Sequence, residues 1–257
     1  MSVSVSHLRK LATAGHIWAQ CRLADRVQWS KRARDRREAV QWFRQAAAHG
    51  NAWAQYSLGM SYHYAEGVRR NYREAARWYT ASASQGFDSA QLNLGILYAN
   101  GLGVSKNLQR AIKLYRLAAR QKNANAAYNL ASYYDIGRGV SQNRRCAARW
   151  YRQAATWGQI ESQRIFGYYC FEGIGVQKNR QEAVKWYRRA ARKGDKIAQF
   201  NLGLCYKYGD GVEQDRRRAF SWFRRSAAEG YWKAKRQLES AIWGHETISR
   251  TQPTPGR

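Results

Sequence analysis

Side chains suited to catalysis or metal binding are few and scattered in this chain. Histidine occurs at His7, His16, His49, His63 and His245. No two are four residues apart, none opens an HExxH pattern, and none joins a Cys/His cluster with metal-ligand spacing. The carboxylates Asp135, Glu161 and Glu172 form no evident acid–base pair, although distant segments can assemble one in space. The run Gly101-Leu-Gly103-Val-Ser-Lys106 is rich in backbone amides. It lacks Walker spacing, however, and follows a helical pattern where a phosphate loop needs a strand. Cys21, Cys146, Cys170 and Cys205 contain no CxxC pair, and are expected as small buried apolar groups in a reducing compartment. No metal, no other cofactor and no enzymatic activity are expected.

Binding chemistry, by contrast, is abundant. Lys and Arg total 45 against 17 Asp and Glu, a formal charge of +28, which favours an acidic protein, nucleic acid or an anionic membrane surface. Lys113, Arg116 and Arg120 are spaced i, i+3, i+7 and share one helix face. Equivalent positions hold Arg77, Arg149 with Arg152, Lys185 with Arg188 and Arg192, and Arg44 and Arg224. Stacked, they would make a basic ridge, and a merely solvated face is the competing reading. A second cluster runs from Lys31 to Arg37, with Arg69, Arg70 and Arg73 nearby. Arg outweighs Lys, and its planar fork suits carboxylate and phosphate. Aromatic residues are also numerous, with 11 Trp and 17 Tyr. Trp53, Tyr56 and Met60 form a row continued by Leu92 and Ile96, then Tyr128, then Arg164 and Tyr168, then Phe200 and Leu204. These ten are candidates for contact with a peptide, with packing between helices as the alternative.

The elements that position these residues follow from a period of 36. The pair Trp42-Phe43 recurs as Trp78-Tyr79, Leu114-Tyr115, Trp150-Tyr151, Trp186-Tyr187 and Trp222-Phe223. Columns of Ala, Leu and Val keep the same step. Each unit reads as two helices. The first carries an interior glycine (Gly59, Gly95, Gly167, Gly203), which implies a neighbouring helix too close to admit a side chain. The link is Gly-x-Gly-Val, as in Gly101 to Val104, where glycine ends one helix and turns the chain. Three residues after the valine comes Asn71, Asn107, Asn143, Asn179 or Asp215, the expected N-cap of the second helix. Asn71 with Glu74, Asn179 with Glu182, and Asp35 with Glu38 have capping-box spacing. Such pairs cannot bury their apolar faces alone and must stack on the next pair as a solenoid.

The residues Ala90-Gln91, Leu94-Gly95, Tyr98, Gly101-x-Gly103-Val104 and Ala111, Tyr115, Ala118-Ala119 resemble the Sel-one-like repeat, a branch of the tetratricopeptide-related solenoids. The match over 198–227 is closer still, and the resemblance covers 16–243. It departs locally at Ala65, Leu114, Lys122, Ala131 and Cys170. The resemblance implies an all-α fold, a right-handed superhelical solenoid whose first helices line the concave face. The expected organisation is a capping helix over 1–15, then repeats over 16–50, 51–86, 87–122, 123–158, 159–194 and 195–230. A cap over 231–243 and a flexible polar tail over 244–257 complete it. The resemblance further implies an adaptor, scaffold or regulatory role in protein complexes, including those of secretion, envelope, signalling and quality-control pathways, and it transfers no catalytic residue. Paired cysteines, frequent in secreted relatives, are absent here, which favours an intracellular setting. With no long apolar stretch after the first ten residues, neither signal peptide nor membrane span is expected, and the expected location is the cytoplasm. The leading expectation is a scaffold, monomeric by default, that takes an acidic protein or peptide in a concave aromatic groove, one version being a bacterial secretion-related accessory, regulatory or immunity protein. A nucleic-acid binder using the basic ridge and a peripheral binder of anionic membrane are the alternatives.

Overall fold

The computed structural model describes residues 3–242 and 253–255, without the side chains of 240–242. The described residues contain 14 α-helices and no strand. They pack as two compact units, residues 1–123 and 124–257. In the first unit α1 (Val5–Thr13) precedes three pairs: α2 (Ile17–Val27) with α3 (Ala33–Ala48), α4 (Ala52–Tyr64) with α5 (Tyr72–Ser84), and α6 (Asp88–Asn100) with α7 (Leu108–Arg120). The second unit pairs α8 (Ala124–Ile136) with α9 (Arg144–Thr156), α10 (Ile160–Glu172) with α11 (Arg180–Arg192), and α12 (Lys196–Tyr208) with α13 (Arg216–Ala228), followed by α14 (Trp232–Ile242). Within each unit the second helix of a pair also packs on the first helix of the next. This is an all-α repeat fold. The polar tail expected over 244–257 lies outside the described residues except for 253–255.

The interior glycines explain how closely each pair packs. A Cβ on Gly95 would lie 2.6 Å from Tyr115 Cε1, and one on Gly59 would lie 2.6 Å from Tyr79 Cδ1. Gly167 and Gly203 meet Tyr187 and Phe223 in the same way. Thus in these four repeats the second residue of the aromatic pair packs against the glycine of its partner helix. Tyr79, Tyr115, Tyr151, Tyr187, Phe43 and Phe223 are all buried. The preceding Trp is usually only half-buried, Trp186 being the buried one.

The turns work in two steps. Gly101 adopts φ +72° and closes α6 with its N–H on the Leu97 carbonyl. At Gly103, a Cβ would collide with the backbone of Tyr72 at the start of the preceding second helix. Gly175 and Gly211 meet the backbones of Arg144 and Arg180 likewise, so the second glycine lets a turn nestle against the repeat before it. Asn107, Asn143, Asn179 and Asp215 accept the N–H three residues on, and Asn71 accepts from Arg73 and Glu74. Asp35 departs from expectation. Helix α3 begins earlier, with Arg32 at the N-cap and no side-chain cap bond. Asp35 instead accepts from Ser30 Oγ at 2.6 Å, while Glu38 pairs with Arg9 at 2.9 Å.

A column not singled out in the sequence closes the remaining helix ends. Gln20, Gln55, Gln91, Gln163 and Gln199 are buried. Each donates through Nε2 to a carbonyl eight residues back, at Ala12, Ala47, Ala83, Ala155 and Ala191. Those carbonyls belong to the last turn of the preceding helix and also accept the N–H of the glycine three residues on, so the glutamine adds a second donor. Ala127 stands in this column without an amide.

Candidate functional site

The expected contact row divides by burial. On α4, Trp53 is 39% exposed, while Tyr56 and Met60 are half-buried. Trp53 and Tyr56 lie 5.9 Å apart by ring centroid, and Phe87 packs edge-on at 5.9 Å from Trp53 and tilted at 5.1 Å from Tyr56. Asn93 on α6 donates through Nδ2 towards Met60 Sδ and Tyr79 Oη, each at 3.3 Å. Ile96 is half-buried and Leu92 buried. The first unit therefore presents a small aromatic patch, Trp53–Tyr56–Phe87, with one strongly exposed edge.

In the second unit Tyr128 and Tyr168 are half-buried, but Arg164, Phe200 and Leu204 are not surface residues. Arg164 is 5% exposed and bonded through Nε to Asp195 Oδ2 at 3.1 Å. Asp195 also caps α12 by accepting from Ala198 N–H, so this ion pair fixes a helix end. Phe200 is fully buried between Phe223 and Tyr231, with centroids 5.7 and 5.2 Å away. The helical spacing that places Tyr56 and Phe200 in one column is correct. Tyr56 meets the equivalent pair of rings, Tyr79 at 6.0 Å and Phe87 at 5.1 Å, yet stays half-buried. Leu92, Arg164, Phe200 and Leu204 therefore act in packing.

The basic positions are arranged otherwise. Nine of the ten ridge residues are exposed: Arg77, Lys113, Arg116, Arg120, Arg149, Arg152, Lys185, Arg192 and Arg224. Arg188 is half-buried and donates to Tyr206 Oη at 3.2 Å. Arg77 and Lys185 make exposed pairs with Glu74 and Glu182 at 3.7 and 3.8 Å, contacts that contribute little in water. In the second basic cluster Lys31, Arg32, Arg34, Arg37, Arg69, Arg70 and Arg73 are exposed. Arg36 serves the fold, donating to the Ser30 and Lys31 carbonyls at 2.7 and 3.1 Å.

Among the described residues no group of three His, Cys, Asp or Glu has metal-binding geometry. Burial pushes the Cys170 and Cys205 thiols up to about 12 and Cys21 up to about 11, so these sulfurs stay protonated and unreactive at neutral pH. His63 stacks on Tyr64 at 4.4 Å and lies 3.3 Å from Tyr79 Oη. Burial, then the Arg70 charge, lowers its pKa and favours the neutral ring.

Sequence reasoning missed Asn201 on α12. Its side chain is fully buried, and both ends of its amide bond the backbone of Thr254, far along the chain. The available signal was a polar amide inside the apolar run Phe200-Asn-Leu-Gly203, matched by Leu92-Asn-Leu-Gly95.

The geometry of glycine, ring, turn and cap recurs in known proteins. The Sel1 repeat matches six segments, residues 19–51, 54–87, 88–123, 124–156, 160–195 and 196–231. No curated protein matches the chain. Among solved structures, a protective antigen of uropathogenic Escherichia coli displaying an SLR fold is 35% identical, with a TM-score of 0.86 over 92% of this chain and 51% of that one. This chain thus spans about half the antigen's length. A Sel1 repeat protein from Oxalobacter formigenes is 34% identical, with a TM-score of 0.73 over 87% and 88% of the two chains. An immunity protein from Pseudomonas aeruginosa, 17% identical with a TM-score of 0.51 over 82% and 81%, shares the fold alone. With its six matched segments and two relatives above 30% identity, built on the same paired helices, the chain belongs to the Sel1 repeat family.

Proposed function

We propose that this chain is a non-enzymatic interaction scaffold whose partner is an acidic protein or peptide, in a bacterial accessory, regulatory or immunity role. Sel1 repeat proteins generally mediate protein–protein interaction, and the family is generally non-enzymatic. The observation that carries the acidic partner is the exposure of nine ridge cations on the second helices, in a chain of charge +28. Cations held on a rigid helix face attract carboxylates at long range and orient them on contact. The patch Trp53–Tyr56–Phe87 supplies an apolar anchor on the other helix set. No helix among the described residues is long and apolar enough to cross a membrane.

The test is capture on the immobilised full chain from nuclease-treated extract at about 150 mM salt, where surface charges more than about 8 Å apart are largely screened. One acidic protein should be retained and identified by mass spectrometry. Titration of the purified pair should then show at least about tenfold weaker binding for Lys113→Glu/Arg116→Glu/Arg120→Glu, and a similar loss for Trp53→Ala. Retention that vanishes with nuclease assigns the ridge to nucleic acid and overturns the reading. So does a purified pair whose affinity ignores both variants.

A further inference from the structure

Asn201 sits in the middle of α12, where a buried amide must find partners for donor and acceptor alike. Its periodic equivalent on α6, Asn93, finds a side chain, Tyr79 Oη, within its own unit. Asn201 finds main chain. Nδ2 donates to the Thr254 carbonyl at 2.9 Å, and the Thr254 N–H donates to Oδ1 at 3.1 Å. That reciprocal pair is what a neighbouring strand gives a single residue, and it recognises extended backbone whatever the side chain.

The flanking residues add selectivity. Pro253 is buried and Pro255 exposed, and Thr254 Oγ1 lies 3.3 Å from Tyr231 Oη. Of the three residues only Thr254 has an N–H to offer, because proline has none. Each proline fixes its own φ, and Pro255 also biases Thr254 away from the helical region. A segment restrained in this way loses little conformational entropy on docking. The 36-residue pattern ends with α14, so the repeat architecture itself does not call for this contact.

We infer that Asn201 and Tyr231 form a binding site for an extended peptide, and that Pro253-Thr254-Pro255 is an intramolecular ligand occupying it. The partner segment that displaces it has the same chemistry: extended, with a buried proline followed by a small hydroxylated residue. This rests on the reading of the chain as a protein-binding scaffold, yet it involves none of the ridge cations. Salt-sensitive capture can therefore fail while this site binds, or succeed while it does not.

The test uses the full chain and a fluorescein-labelled peptide of sequence Thr-Gln-Pro-Thr-Pro-Gly-Arg, that of residues 251–257. Thr254→Pro removes the donated N–H and lies outside the repeats, so the helices stay intact. A tethered competitor acts at about millimolar effective concentration, so fluorescence anisotropy should show the peptide binding Thr254→Pro at least about tenfold more tightly than the unaltered chain. Adding Asn201→Asp to that variant removes the donor and should weaken binding at least about tenfold. A labelled peptide carrying proline in place of the threonine that corresponds to Thr254 should fail on the Thr254→Pro chain, an arm that alters no buried residue. Equal affinity for the two chains, undiminished binding of the proline-substituted peptide, or no binding at all would overturn the inference.

Discussion

Gly95→Ala should lower the stability of the first unit, even though alanine is the better helix former. In an exposed helix the change would gain about 1 kcal/mol. Here the new Cβ would stand 2.6 Å from Tyr115 Cε1 and 2.9 Å from Cδ1, with the Ala111 carbonyl 3.4 Å away. Tyr115 is buried, so its ring cannot swing aside, and α6 and α7 must separate by several tenths of an ångström. Overpacking of this kind costs about 1–3 kcal/mol, and more where backbone must shift. The net expectation is a loss of up to about 2 kcal/mol once the propensity gain is subtracted. For a chain of 257 residues that is a fall of up to about 8 °C in Tm, read by far-ultraviolet circular dichroism. The column contains its own control in Ala131, which is fully buried in the same cluster as Tyr151. Ala131→Gly should also destabilise, by about 1 kcal/mol, through propensity alone. An increase in Tm for Gly95→Ala would show that the glycine is not there for the ring, and the account of helix pairing would fail.

Ala65 and Lys122 occupy left-handed backbone at φ +65° where other repeats have glycine, so Ala65→Gly and Lys122→Gly should each stabilise by about 0.5–1 kcal/mol. Urea midpoints that fall instead would contradict this. Gln199→Ala removes one of the donors to the Ala191 carbonyl and should destabilise by about 0.5–1.5 kcal/mol in the same measurement, an unchanged midpoint counting against the capping role. His63 has a pKa lowered below its usual 6.5 by burial, so the unfolded chain takes up its proton first. Stability from this residue is therefore present at neutral pH and lost as pH falls below about 6.5, and His63→Gln should flatten the decline between pH 7 and 5. Parallel pH profiles for the two proteins would remove that assignment.

What could be read from the chain was whatever repeats. The helix pairs, the Asn and Asp caps and the glycine turns each depend on contacts that recur every 36 residues, so a column of identical residues reveals them. What does not repeat was hidden. Arg164 is buried on Asp195, the one aspartate at that position of the repeat. Asn201 bonds a residue 53 positions away, beyond the last repeat. Asp35 misled because the first turn is shorter, which shifts the start of α3 to Ala33. The contacts of a side chain on this fold are decided by the neighbour its column meets, and periodicity specifies the column without specifying the neighbour.

The buried glutamines have a consequence for how such a protein can change in length. Gln55 and Gln91 each finish a helix that belongs to the preceding pair, so within a unit a pair is completed by its successor. Duplication or deletion of a whole period would carry donor and acceptor together and preserve every seam, whereas an indel of any other size would part the buried amide from its carbonyl. Lineages built this way should lengthen and shorten in integral steps, and an engineer grafting extra pairs should cut at the accepting alanine in the last turn of a second helix and rejoin in phase.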